Sequence, residues 1–142
     1  MTAKQYLQQV KGLDNMIEAK LEQVERLRAL ATRVTTSFSH DKQGKGAARH
    51  EKTADIVCKI VMLEEKLNAS IDTLVDLKAE VEEKIDEIPN DNYRLLLRLR
   101  YLNYKTWEDI ASTIGYTPQW IYITHGRALQ EFQKKFQRID ES

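Results

Sequence analysis

One cysteine, two prolines and five glycines stand in 142 residues, and the 22 basic side chains are cancelled by 22 acidic ones. Each scarcity narrows what the chain can be. The lone thiol of Cys58 rules out an internal disulfide framework, and with it the small cystine-stapled secreted scaffolds. Few glycines and prolines, with 31% charged and 8% aromatic residues, give a helix-rich profile. No apolar run reaches the roughly 18 residues that a membrane span requires. The opening M-T-A-K-Q-Y-L-Q-Q-V has no continuous apolar core of the signal-peptide kind. The expectation is a cytoplasmic, all-α protein without a membrane partner.

The neutral total hides an uneven distribution. Residues 1–34, 35–52 and 89–142 each carry a net charge of +2, whereas residues 53–88 carry −6. The acidic segment is the part least suited to approach phosphate, since nonspecific attraction to nucleic acid comes from Lys and Arg neutralising its backbone.

Heptad spacing dominates the first two thirds. Val10, Ile17, Val24 and Ala31 recur every seven residues, with Leu13, Leu27 and Val34 at the complementary position. Ile60, Leu67, Leu74, Val81 and Ile88 repeat the pattern, flanked by Leu63, Ile71, Leu77 and Ile85. The spacing predicts two long helices, over about 3–36 and 50–88, forming a coiled-coil hairpin (residues 1–88). A polar, glycine-containing link joins them. Ile56, Val57, Ile60, Val61 and Leu63 wrap beyond a two-position stripe. Apolar surface of that width calls for a further partner, most simply a second copy, so a homodimer through residues 1–88 is expected. Cys58, on this side of the helix, reads as core.

Pro89 sets the predicted boundary to a second domain, residues 89–142. Asn90 can cap a helix from Asp91 to about Leu102, carrying Leu95, Leu96, Leu99 and Leu102. The stretch from Thr106 to Phe132 then reads T-W-E-D-I-A-S-T-I-G-Y-T-P-Q-W-I-Y-I-T-H-G-R-A-L-Q-E-F. Thr106 suits an N-cap, with Asp109 three residues on in the manner of a capping box. Gly115 stands where a helix C-terminus needs positive φ. Thr117 suits a second N-cap, and Pro118 fits the first helical position, where a missing N–H costs nothing. Ile121, Ala128 and Phe132 follow at helical spacing. Two capped helices joined by a tight turn are the grammar of a helix-turn-helix, making a three-helix domain.

Through Ile110-Ala111, Ile114-Gly115, Thr117, Ile121 and Arg127-Ala128-Leu129, this stretch resembles region 4 of bacterial sigma factors, which reads a promoter element. The wider frames R-Y-L-x-Y-K-T-W-E-D-I-A (from Arg100) and I-Y-I-T-H-G-R-A-L (from Ile121) look like those of a phage family. That family comprises small sigma-like proteins of Gram-positive bacteria and their prophages, grouped with autolysin-regulator-type late-gene transcriptional activators. The long helices ending in I-D-E-I-P-N-D share the likeness. The resemblance implies a domain of sigma region 4 type, a bacterial host cytoplasm, duplex DNA as partner, and contact with RNA polymerase as a second possibility.

Within that frame Gln119, Trp120, Tyr122 and Ile123 form the outward set at the start of the second helix, behind the Thr117 cap. Gln bonds bidentately to adenine, and apolar side chains touch thymine methyls; the bland alternative is a protein-contact patch. Arg127, Arg98 and Arg100 suit phosphate contact, with surface ion pairs as the alternative. Arg94 is weighed in the same way. Lys134, Lys135 and Arg138 serve equally as phosphate ligands or as a basic helix end favoured by the macrodipole. Trp107 reads as packing beside Ile110, and His125 as a partly buried, hydrogen-bonded residue. His40 and His50 lack companions at metal-site spacing, so no metal or other cofactor is expected. Gln43-Gly44-Lys45-Gly46 lacks the spacing and the preceding strand of a phosphate loop. No nucleophile–base pair or carboxylate dyad stands out, so an enzyme is not expected. Two functions stay open: a sequence-specific DNA-binding transcription regulator, or an interaction protein that binds RNA polymerase or a phage protein with the hairpin as scaffold. Sigma-like recognition helices usually carry several Arg or Lys where this chain has Pro118, Trp120, Tyr122 and Ile123, which keeps the second open.

Overall fold

The computed structural model describes residues 1–40 and 46–136, with side chains described at 1–34, 36 and 50–136. Gln43 to Lys45 and Arg138 lie outside the described residues. All regular structure among the described residues is helical. α1 spans Ala3–His40, α2 Gly46–Asp86 and α3 Asp91–Leu97. α3 runs directly into a π-helical turn, Arg98–Leu102, and α4 (Trp107–Ile114) and α5 (Pro118–Lys135) follow. The polar stretch expected as a link from about residue 36 to 50 is thus helical through His40 and again from Gly46.

The chain divides into two compact units, Met1–Asp14 with Leu74–Ser142, and Asn15–Thr73. Pro89, the boundary expected from sequence, falls inside the first.

In the first unit the start of α1 and the end of α2 run antiparallel, since Tyr6 meets Glu80 and Lys84 while Asp14 lies 4.0 Å from Lys78. Tyr6 Oη donates to Glu80 Oε1 (2.8 Å) and accepts from Lys84 Nζ (3.1 Å). Hydrogen bonds from Tyr6 and Lys84 hold the Glu80 carboxyl below its ordinary range. Burial works against the Lys84 ammonium, but its bonds to Tyr6 and Glu80 prevail and raise its pKa. The backbone N–H of Ala3 donates to Gln133 Oε1 (2.6 Å), and the Tyr6 ring stacks on Phe132 with centroids 6.0 Å apart. The heptad residues Val10, Val81, Ile85 and Ile88 are therefore buried in one core with Leu96, Leu97, Ile110, Ile121 and Phe132. Truncating Phe132 to Ala would cost about 3–5 kcal/mol through lost transfer energy and the cavity left behind.

α3 begins where Asn90 Oδ1 accepts the N–H groups of Asn92 (3.0 Å) and Tyr93 (3.1 Å). Its continuation differs from the uniform α-helix expected to Leu102. The ladder widens after Leu97 to an i→i−5 bond, Asn103 N–H to Arg98 C=O at 3.1 Å. Tyr104 then takes φ 58°, a left-handed conformation that is uncommon without glycine.

In the second unit Lys20 Nζ donates to Ser70 Oγ (2.9 Å) and Arg28 pairs with Glu64, again an antiparallel arrangement. Ile17, Val24, Ile56 and Leu67 are buried, while Met16, Leu21, Leu30, Val57, Val61, Met62 and Ile71 are exposed. Cys58 is exposed too, contrary to its expected core position. It stands two residues past buried Ile56, about 200° round the helix from it.

Candidate functional site

The turn from α4 to α5 is set by local chemistry. Thr106 Oγ1 accepts the Asp109 N–H (3.2 Å) and starts α4. Gly115, at φ 85° and ψ 28°, ends it, with its own N–H returned to Ala111 C=O at 2.8 Å. Only glycine adopts this conformation without steric cost. Thr117 Oγ1 accepts the Trp120 N–H (3.2 Å), and Pro118 opens α5. With Ile121, Ala128 and Phe132 fully buried, helical periodicity forces the opposite face outward. Gln119, Trp120, Tyr122, Ile123 and Arg127 are exposed there, Tyr122 at 58%.

This face is aromatic and sparsely charged. The Arg127 guanidinium sits 5.3 Å from the Trp120 ring centroid, one helical repeat of seven residues away. Tyr116 meets the edge of Trp120, and Asn92 Nδ2 donates to Tyr116 Oη (2.7 Å), anchoring the turn to α3. Such a surface offers hydrogen-bond donors and acceptors (Gln119, Tyr122), apolar contact (Trp120, Ile123) and one cation.

Behind it lies a buried polar pair. Tyr101 Oη and His125 Nε2 are 2.7 Å apart. Burial first, then the positive charges of Lys4 and Arg100, push the His125 pKa down to about 4. Burial, opposed by Arg100, pushes the Tyr101 phenol up to about 12. Both groups are therefore neutral near pH 7, and which of them donates follows from the imidazole tautomer. Trp107 packs its edge on His125 (centroids 4.5 Å apart) and meets Tyr122 (5.6 Å). The Arg100 guanidinium covers the Trp107 ring at 4.2 Å. Trp107 is thus packing, as expected, yet also links Arg100 to the exposed face of α5.

The three arginines that sequence reasoning treats alike have different partners. Arg98 is bound to two carboxylates of α2, Glu82 (2.8 Å) and Asp86 (2.9 Å). Arg94 donates to Ile88 C=O (2.8 Å) and pairs with Asp91. Arg100 donates to Lys105 C=O (3.0 Å) and has no carboxylate partner among the described residues. Lys134 and Lys135 are exposed in the last turn of α5.

Sequence reasoning missed Lys4, Gln8, Lys11 and Tyr104, which line one cleft with Arg100 and Trp107. The i, i+4, i+7 spacing of the first three marks one helix face, but nothing local ties that face to a turn nearly a hundred residues away.

Among the described residues no group of three or more His, Cys, Asp or Glu side chains could hold a metal ion. None of their helices is long and apolar enough to cross a membrane. No curated protein and no solved structure matches the chain. A family model does match, over residues 33–133, and the chain belongs to that family, described as Protein of unknown function (DUF1492).

Proposed function

We propose that the chain is a sequence-specific DNA-binding transcription regulator of phage or prophage type, reading duplex DNA with the first turns of α5. The observation that carries this is the capped turn from Thr106 through Gly115 to Thr117-Pro118. It buries Ile121, Ala128 and Phe132 and leaves Gln119, Trp120, Tyr122, Ile123 and Arg127 outward at the start of α5. In a helix-turn-helix those positions meet base edges in the major groove. The likeness to sigma region 4 falls on the frame of that turn, Ile110-Ala111, Ile114-Gly115, Thr117, Ile121 and Arg127-Ala128-Leu129. Arg100 and Arg127 supply phosphate contacts in this reading. Arg98 contributes only if it leaves Glu82 and Asp86.

The exposed apolar side chains of α1 and α2, Val57, Val61 and Ile71 among them, support a homodimer assembled through the long helices. A titration of the full chain against labelled genomic fragments at several salt concentrations tests the DNA reading. Salt-dependent binding with discrimination among fragments is the expected result.

A second reading follows from the composition of the α5 face. With one cation and exposed Trp120, Tyr122 and Ile123, it also suits a protein partner, RNA polymerase or a phage protein. Failure to bind any duplex at low salt, with direct binding of purified RNA polymerase, would establish that reading instead.

A further inference from the structure

Beside the buried Tyr101–His125 pair lies a cleft of about 290 Å³. α1 contributes Lys4, Gln8 and Lys11 on one wall, the π-helical turn contributes Arg100 and Tyr101, and Tyr104 and Trp107 complete it. Three cations and no carboxylate line it. Asp14 sits behind one wall, where it accepts the Tyr104 hydroxyl at 2.7 Å and lies 4.0 Å from Lys78. Lys11 Nζ is 4.3 Å from the Tyr104 ring centroid, as Arg100 is 4.2 Å from that of Trp107. Two of the three rings thus already carry a cation on one face, and what the cleft presents in excess is positive charge. Like charges gathered without counter-charge cost energy until an anion arrives. The left-handed Tyr104, which closes one wall, adds a strained residue of the kind found at ligand sites.

The location narrows the anion. Trp107 lines the cleft and also touches Tyr122, on the exposed face of α5. Trp107 therefore joins the cleft of Lys4, Lys11 and Arg100 to Tyr122 in the first turns of α5. A duplex lying against those turns carries one negative charge per about 1.7 Å of its axis, which matches in sign the excess charge of the cleft beside them by being its opposite.

We propose that this cleft clamps a backbone phosphate of the duplex that α5 reads, with Lys4, Lys11 and Arg100 as its cationic ligands. The proposal rests on the DNA-binding reading and gives the N-terminal helix a part in the interface besides any role in assembly. After burial, the larger cause, the charges of Lys4 and Arg100 also lower the His125 pKa, so the positive field of the cleft reaches inward.

The test uses the full chain, a duplex fragment that the wild type selects, and an unrelated duplex, each titrated from 50 to 200 mM salt. Lys4 and Lys11 are exposed, so Lys4→Ala/Lys11→Ala should keep the fold, and circular dichroism checks that it does. The double variant should bind both duplexes more weakly by the same factor. Its log–log salt slope should fall by about two units, so that the wild-type advantage shrinks roughly tenfold across that salt range. Lys4→Arg/Lys11→Arg should restore both. Gln119→Ala, in contrast, should change the ratio between duplexes and leave the slope alone. If the Lys variants match the wild type while Gln119→Ala still alters discrimination, the clamp is wrong and the DNA reading stands. If the wild type binds no duplex, both fall. Saturable binding of adenosine 5′-monophosphate that needs Lys4 and Lys11, with duplex affinity unaffected by their loss, would assign the cleft to a free phosphate ester and overturn the clamp.

Discussion

Tyr101 Oη stands 2.7 Å from His125 Nε2 in the interior, so a residue of the π-helical turn is tied to the helix that carries the candidate recognition face. With its pKa lowered from 6.5 to about 4 in the folded chain, His125 binds a proton more readily when unfolded. Its contribution to stability is present above pH 6.5 and is lost as the pH falls toward 4. Urea unfolding should show a loss on the order of 2 kcal/mol from this group by pH 5, and His125→Gln should flatten that part of the profile. An imidazole titrating near 6.5 in the folded protein, followed by NMR at its Cε1 proton, would contradict it. Tyr101→Phe should cost about 1–3 kcal/mol at neutral pH by leaving Nε2 buried without a hydrogen-bond partner.

Gly126 occupies the exposed side of α5, and a Cβ added there would meet nothing within 4 Å. Glycine in an exposed helix interior is about 1 kcal/mol less favourable than alanine. Gly126→Ala should therefore raise thermal stability. If the helix backbone approaches a duplex closely on this side, the same substitution should weaken binding. Stability and affinity would then move in opposite directions, an outcome that calorimetry and a binding titration on one preparation would reveal. Affinity rising or staying level with stability would place Gly126 away from the contact.

Local signals were legible and distant ones were not. Asn90, Thr106, Gly115 and Thr117-Pro118 each act on the backbone within a few residues, so their roles follow from sequence and are seen in the fold. The heptads foretold long helices, and buried Val10, Ile17, Val24, Leu67, Leu74 and Val81 lie on the seam. What the heptads lacked was the identity of each partner. Tyr6 with Glu80, Lys84 and Phe132, and Ala3 with Gln133, join residues about 75 to 130 positions apart, and no periodicity encodes such pairs. The π-helical turn escaped for another reason. No composition rule separates it from an α-helix, and the partners of its arginines, Glu82 and Asp86 for Arg98 and the Trp107 ring for Arg100, lie outside the turn itself.

The assembly of the long helices has its own test. Val61 and Ile71 are exposed apolar positions on α2, whereas Leu67, between them, is buried within its own unit. Light scattering at high micromolar concentration should give the mass of a dimer for the wild type. Val61→Glu/Ile71→Glu should give a monomer with unchanged helix content, because each introduced charge stays solvated in the monomer but is buried in the dimer, at a cost of several kcal/mol. Leu67→Lys is the contrasting variant and should destabilise the fold itself. A monomeric wild type would leave the apolar stripe to another partner.

Under the proposed DNA-binding reading, the sharpest separation concerns how α5 would meet the duplex. Gln119 and Tyr122 are exposed polar groups near its start, and Arg127 lies one to two turns further on, over Trp120. Gln119→Ala and Tyr122→Ala should each reduce the free-energy gap between a preferred and an unrelated duplex by roughly 1–3 kcal/mol if a good base contact is lost. Tyr122 also packs against Trp107, so Tyr122→Phe isolates its hydroxyl: discrimination should fall while thermal stability holds. Arg127→Ala should weaken both duplexes alike and lower the salt slope by about one unit. Anisotropy titrations of the variants on both duplexes, at two salt concentrations, provide the comparison. Equal losses on both duplexes from Gln119→Ala, Tyr122→Ala and Arg127→Ala would mean that α5 rests on the sugar–phosphate backbone without reading bases, leaving selectivity to duplex shape.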